Sequence, residues 1–251
     1  MHNKAAFNMD AWSDCWDSAG VSDVGRVRKF NEDSYLDRPD LGLWVVADGM
    51  GGHSSGDVAS QTICATLAEM PQSLNLSQAV DFFDASCIRI NDQLVNLARE
   101  SGVGTVIGST VVALISRGRS AIILWAGDSR LYRLRGGQLQ QLNQDHSFLA
   151  ESAPDDDPDL NANYGHIITR AVGADDQLFL DLDATSLVDG DRYLLCSDGL
   201  SNELTSEQLA QFMVGGSASD CGRRLVDQAL YAGGRDNVTV VVADYQAAPL
   251  C

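Results

Sequence analysis

Four aspartates stand where an apolar run meets a glycine-rich turn. Trp44-Val-Val-Ala47 runs into Asp48-Gly49, Ile122-Ile-Leu-Trp-Ala126 into Gly127-Asp128, and Tyr193-Leu-Leu-Cys196 into Ser197-Asp198-Gly199, while Asp236 in Gly233-Gly-Arg-Asp-Asn237 precedes the run 238–243. Short runs rich in β-branched residues and closed by glycine read as buried strands. Each acid is therefore presented at a strand end. Taken singly, Asp beside Gly is ordinary turn chemistry. Carboxylates brought together by packed strands repel one another unless a cation compensates them, so the four predict a shared metal site. Glu32 and Asp33, in the polar segment 31–34 where no strand is expected, are further hard oxygen donors. Arg28, shortly before them, could grip a phosphate through its planar fork or simply be a solvated arginine near a loop.

Every candidate ligand is oxygen, which suits magnesium or manganese, whereas calcium wants more ligands or an EF-hand loop. Two hard cations sharing a bridging carboxylate can generate a hydroxide and stabilise both oxygens of an in-line displacement at phosphorus. With Arg28 for the phosphate, the set describes a phosphoester hydrolase.

The elements that must position these residues follow from periodicity. A first strand is expected over 12–19, helices over 56–70 and 77–100, then strands over 110–116, 121–126, 130–135 and 138–142. Phe83, Cys87, Ile90, Leu94 and Leu97 form one apolar stripe on the second helix, with Ser77 as its N-cap. Successive strands joined by tight turns imply antiparallel pairing. Further strands are expected over 177–185, 192–196 and 238–243, and helices over 205–214 and 219–231. The fold class is α+β. The segment 152–159, with prolines among aspartates, cannot pack as a core strand and reads as a surface flap within about 147–170.

Composition narrows the partners. A chain of 251 residues with 45% hydrophobic content can bury a sizeable core, and one domain over 1–251 is expected. The formal charge of −18 argues against nucleic acid and anionic membrane, and means that a phosphorylated substrate needs bound cations or local arginines to reverse the sign. No apolar stretch approaches the roughly 18 residues of a spanning helix, and the N-terminus lacks a signal-like region, so a cytoplasmic protein is expected. The six cysteines are scattered without a C-x-x-C pair and read as reduced thiols.

The segments 24–34, 46–53, 108–110, 127–130, 145–147, 169–173, 197–200 and 236–239, in this order and spacing, strongly resemble the metal-dependent type 2C Ser/Thr protein phosphatases, in their compact bacterial form. The resemblance implies two packed antiparallel sheets with helices outside, a four-layer αββα sandwich. It also implies dephosphorylation of phosphoserine and phosphothreonine in proteins with Mn2+ or Mg2+, a partner Ser/Thr kinase, and a monomer. Position by position, Asp48 resembles the carboxylate bridging two metals, with Gly49 lending its carbonyl to one of them. Asp198 and Asp236 would complete the first metal, and Glu32 with Asp33 would serve the second directly or through water. Asp128 resembles a ligand of the third metal of bacterial members, shared with Asp198, and Arg28 the phosphate-binding arginine. In the eukaryotic pattern a histidine follows Asp-Gly, whereas here Met50 does, leaving His53 or a metal-bound water as general acid. His146 and His166 are expected to organise the flap and its base.

Two other readings use the same residues. Gly52-His-Ser-Ser-Gly56 matches the G-x-S-x-G elbow of a serine esterase with Ser54 as nucleophile, but the strand is expected to end near Asp48, too early for a sharp elbow. A catalytically silent, metal-binding regulatory module of the same fold is the other. The acidic flap, through residues 155–159, is expected to favour substrates with basic flanks.

Overall fold

The computed structural model describes residues 16–51, 55–148 and 167–247. In chain order the elements are β1 (Trp16–Asp23), β2 (Asp33–Arg38), β3 (Leu43–Gly51), α1 (Gly56–Leu67), α2 (Leu76–Ser101), β4 (Ile107–Ser109), β5 (Val111–Arg117), β6 (Ser120–Ala126), β7 (Arg130–Arg135) and β8 (Gln138–Gln141). They continue with β9 (Asp181–Ser186), β10 (Arg192–Cys196), α3 (Asp198–Ser201), α4 (Ser206–Phe212), α5 (Ala218–Ala232) and β11 (Val238–Tyr245).

The strands make two antiparallel sheets. One runs β1-β11-β10-β7-β8 and the other β2-β3-β5-β6-β9, with β4 added to the end of β3. Because successive side chains on a strand point to opposite faces, a strand covered on both faces must be apolar throughout. In β3, Leu43, Val45 and Ala47 pack outward against α1 and α2, while Trp44 and Val46 point into the space between the sheets. In β11, Val240 and Val242 pack outward under α5, while Val241, Ala243 and Tyr245 point inward. Three apolar layers result, and the order helix, sheet, sheet, helix matches the expected sandwich. At its centre Trp44 is fully buried, its ring centroid 4.4 Å from that of Trp16.

Several boundaries move for identifiable reasons. The first strand extends to Asp23, pairing along β11, and the expected residues 12–15 lie outside the described ones. Asp33 and Ser34, expected in a loop, open β2, an edge strand whose half-exposed pattern hides it in the sequence. β3 continues past Asp48 to Gly51 because β4 supplies partners for Gly49, Met50 and Gly51. Asn75, not Ser77, caps α2 through a reciprocal box with Gln78, and Leu97 is largely exposed while Ala98 takes the buried position. Of 177–185, only the part from Asp181 pairs with β6. Consecutive β6 and β7, expected to pair, lie in different sheets, so the Gly127–Ser129 link crosses the sandwich. The short helix α3 was not expected. Within the flap, residues 149–166 lie outside the described ones, as do His53, Ser54 and His166.

Candidate metal centre

The acids collect at one end of the sandwich, and both sheets contribute. Asp33 opens β2 and faces Asp48 of β3 in register. Asp198 follows β10 at the start of α3, Asp236 lies two positions before β11, and Asp128 lies on the link between β6 and β7. Glu32 adjoins Asp33, and its backbone carbonyl accepts hydrogen bonds from the Gly49 amide at 3.1 Å and from the Ser60 hydroxyl at 2.6 Å. Gly49 has no room for a side chain, since a Cβ there would lie 2.1 Å from the Gly56 carbonyl oxygen. That contact is what lets the first turn of α1 press against the strand end.

The charges press on one another. Burial, opposed by hydrogen bonds from Ser197 and Thr239 but reinforced by Asp198 and Asp236, pushes the Asp33 carboxyl up to about 7. Asp48 is held well above the usual carboxylate range by desolvation and by Asp33, Asp198, Asp128 and Asp236. Asp128 rises to about 7 through burial and the charges of Asp198 and Asp145, and its buried Oδ1 has no hydrogen-bond partner. Among the described residues no three His, Cys, Asp or Glu side chains already converge as a metal cage. The fold brings the carboxylates into one electrostatic neighbourhood.

Polar residues beside the acids hold them in place. The buried Ser197 hydroxyl donates to Asp33 Oδ2 at 2.7 Å and accepts from the Thr239 amide at 3.0 Å. The Thr110 hydroxyl accepts the Asp48 amide at 3.0 Å and shares a 2.7 Å hydrogen bond with the Ser129 hydroxyl, tying β3 to the turn that carries Asp128. Asn202 donates to Asp198 Oδ2 at 3.0 Å. His146 is buried under the same turn: its Nδ1 accepts the Gly127 amide at 3.2 Å, its Nε2 lies 3.3 Å from Asp181, and its ring stacks on Trp125. His146 is thus a support for the Asp128 turn, while the flap it was expected to organise lies largely outside the described residues.

Arg28 lies at the rim, with Nη2 donating to Asp236 Oδ2 at 2.6 Å. The loop carrying it is clamped by Asn237, whose side chain donates to the Val24 carbonyl at 2.8 Å and the Phe30 carbonyl at 2.9 Å and accepts the Glu32 amide at 2.9 Å. Gly25 turns there with φ of +81°, and a Cβ would fall 2.1 Å from the Asp236 carbonyl oxygen. Of the residues singled out from sequence, Arg28, Glu32, Asp33, Asp48, Gly49, Asp128, Asp198 and Asp236 are all described at this end, and His53 is not. Ser197, Thr239, Thr110, Ser129 and Asn237 lie inside segments that carry the resemblance but were given no role there, and Asn202 lies outside those segments.

Comparison with known proteins agrees with this geometry. The family model for protein phosphatase 2C matches residues 26–230. The serine/threonine protein phosphatase PstP of Mycobacterium tuberculosis is 34% identical over 230 residues, covering 90% of this chain, and the chain spans 44% of that relative's length. The solved structure of PppA, a key regulatory component of T6SS in Pseudomonas aeruginosa, superposes with a TM-score of 0.86 at 41% identity, covering 92% of this chain and 98% of that one. The catalytic domain of PstP in complex with two manganese ions gives a TM-score of 0.81 at 34% identity, covering 92% of this chain and 99% of that one. A matched family model, relatives of this identity and a shared sandwich leave one assignment: the chain belongs to the protein phosphatase 2C family.

Proposed function

We propose that the chain hydrolyses phosphoserine and phosphothreonine in proteins with two manganese or magnesium ions, and that it opposes a Ser/Thr kinase in the cytoplasm. The observation that carries this reading is the gathering of carboxylates from both sheets, raised in pKa by burial and by one another, with Arg28 paired at their edge. An oxygen-only donor set fits these hard ions, and the buried, unpartnered Asp128 Oδ1 is a donor suited to a cation. Asp48 would bridge the two ions with the Gly49 carbonyl beside it, Asp198 and Asp236 would complete one, and Glu32 with Asp33 would serve the other. Asp128 and Asp198 would hold a third. When bound, the ions supply Lewis-acid polarisation of the phosphoryl group and a nucleophile from water at neutral pH.

The chain's own residues do the rest. Arg28 presents a planar fork that matches two phosphoryl oxygens, and its pairing with Asp236 keeps that fork at the acids. Ser197 fixes the orientation of Asp33, and Thr110 that of β3 at Asp48. His53 is the proposed proton donor to the leaving serine or threonine oxygen. Burial pushes the thiols of Cys64 and Cys196 up to about 12, so neither is a nucleophile at neutral pH. The likeness to PstP bound to manganese and to PppA supports the metal requirement and a regulatory role.

The test is phosphate release from a phosphothreonine peptide with manganese, with excess EDTA, and with Asp198→Ala in manganese. Activity is expected to need the ion and to fall by roughly 100-fold or more in the variant, since even residues outside a ligand set typically cost 10- to 100-fold. Activity resistant to EDTA overturns the metal-dependent reading. Manganese binding by calorimetry without turnover identifies a regulatory module instead.

A further inference from the structure

Residues 26–30, Arg26-Val-Arg-Lys-Phe30, place three cations in five positions of a chain whose formal charge is −18. Their backbone is pinned. The Arg26 amide donates to the Gly234 carbonyl at 2.7 Å, Arg26 Nε donates to the Leu230 carbonyl at 2.7 Å, and Asn237 clamps Val24 and Phe30. The side chains nevertheless point to solvent, with Val27 66% and Phe30 68% exposed. A large aromatic and a branched aliphatic held open on a fixed loop beside cations form a surface built for contact rather than for packing.

Lys29 sharpens the point. The chain has two lysines, Lys4 and Lys29, and the described cations elsewhere are arginines, many of them committed to structural pairs such as Arg130 with Asp145, Arg135 with Asp191 and Arg192 with Asp244. Lys29 enters no ion pair among the described residues. The acids nearest to this loop along the chain are Asp23, which accepts the Gly25 amide at 2.8 Å, and Glu32 and Asp33, whose charge the ions would offset in the loaded protein; Asp236, from the far end of the chain, is taken up by Arg28. At physiological salt the Debye length is about 8 Å, so the overall negative field is screened and these neighbours decide what the loop attracts.

We infer that the loop 26–30 selects substrates by the residues flanking the phosphate, favouring a phosphopeptide with an acidic side chain for Lys29 and an apolar one for Phe30 and Val27. The inference rests on the phosphatase reading. Lys29 directly follows the arginine that faces the acids, and an extended peptide advances about 3.3 Å per residue, so positions one to three from the phosphoresidue reach across this loop. Apolar contact supplies affinity there and the ammonium supplies discrimination, since a basic flank meets like charge; this is the opposite of the preference expected from the acidic residues 155–159, and the same peptides decide between the two.

The experiment compares kcat/KM of the manganese-loaded protein at 150 mM salt on three phosphothreonine peptides, with acidic and apolar, neutral, and basic flanks, beside a small aryl phosphate. The acidic, apolar peptide is expected to be preferred over the basic one by about fivefold, the scale of an exposed ion pair. Lys29→Glu is expected to invert that order, and Phe30→Ser to lower only the apolar component. Equal kcat/KM on all three peptides in the unsubstituted protein overturns the inference and leaves the phosphatase reading standing. A loss in Lys29→Glu that is the same on every peptide and on the aryl phosphate also overturns it. No turnover of any phosphate ester overturns the phosphatase reading, and the inference with it.

Discussion

A carboxyl at Asp33 directly opposite one at Asp48 is an arrangement no sheet adopts for its own stability, because like charges across a strand pair repel. The raised carboxyls of Asp33 and Asp128 turn this into a measurable dependence on pH. A carboxyl whose folded pKa lies above its unfolded value contributes stability while it is protonated, and that stability is lost as pH rises from about 4 to the folded value near 7. With metal chelated, the melting temperature is therefore expected to fall between pH 5 and pH 8, and Asp128→Asn to flatten the fall. Added manganese is expected to restore the melting temperature at pH 8 more than at pH 5, where protons compete for the same oxygens. Calorimetric scans with and without EDTA check both. The acids were legible in the sequence because Asp beside Gly at the end of an apolar run is a local pattern. Ser197 was not, because serine beside a turn is unremarkable until Asp33, 164 positions away, is brought within 2.7 Å.

At the scale of elements, the loop between β1 and β2 depends on one side chain. Asn237→Ala leaves the Val24 and Phe30 carbonyls and the Glu32 amide without their partner, at a cost of about 3 kcal/mol. Urea denaturation should show that loss, and KM for a phosphopeptide should rise more than kcat falls, because Arg28 and its neighbours are released while the acids on the strands stay. Helices and central strands were legible from their stripes and apolar runs. β2 was hidden because an edge strand alternates too weakly, and β4 because its Ile107–Ser109 segment is too short to show a period.

At the scale of the molecule, the proposed ligands come from two sheets, so the packing in the space between the sheets sets their spacing. Trp44 fills that space against Trp16, and Trp44→Ala is expected to cost about 3–5 kcal/mol. It should also weaken manganese binding although no ligand is touched, a fall that calorimetry distinguishes from simple instability if it is measured well below the melting temperature. The crossing of the sandwich between β6 and β7 was not legible, since a tight Gly-containing link reads as a hairpin unless the two flanking runs are known to face different layers. The opposition of Asp33 and Asp48 reaches further than catalysis. A strand pair that repels itself at neutral pH opens more readily when divalent ions are scarce, and local opening is what proteases act on. On the proposed function, metal supply would then set not only how fast each molecule works but how long it survives, so that a starved cell holds fewer copies of the protein as well as slower ones.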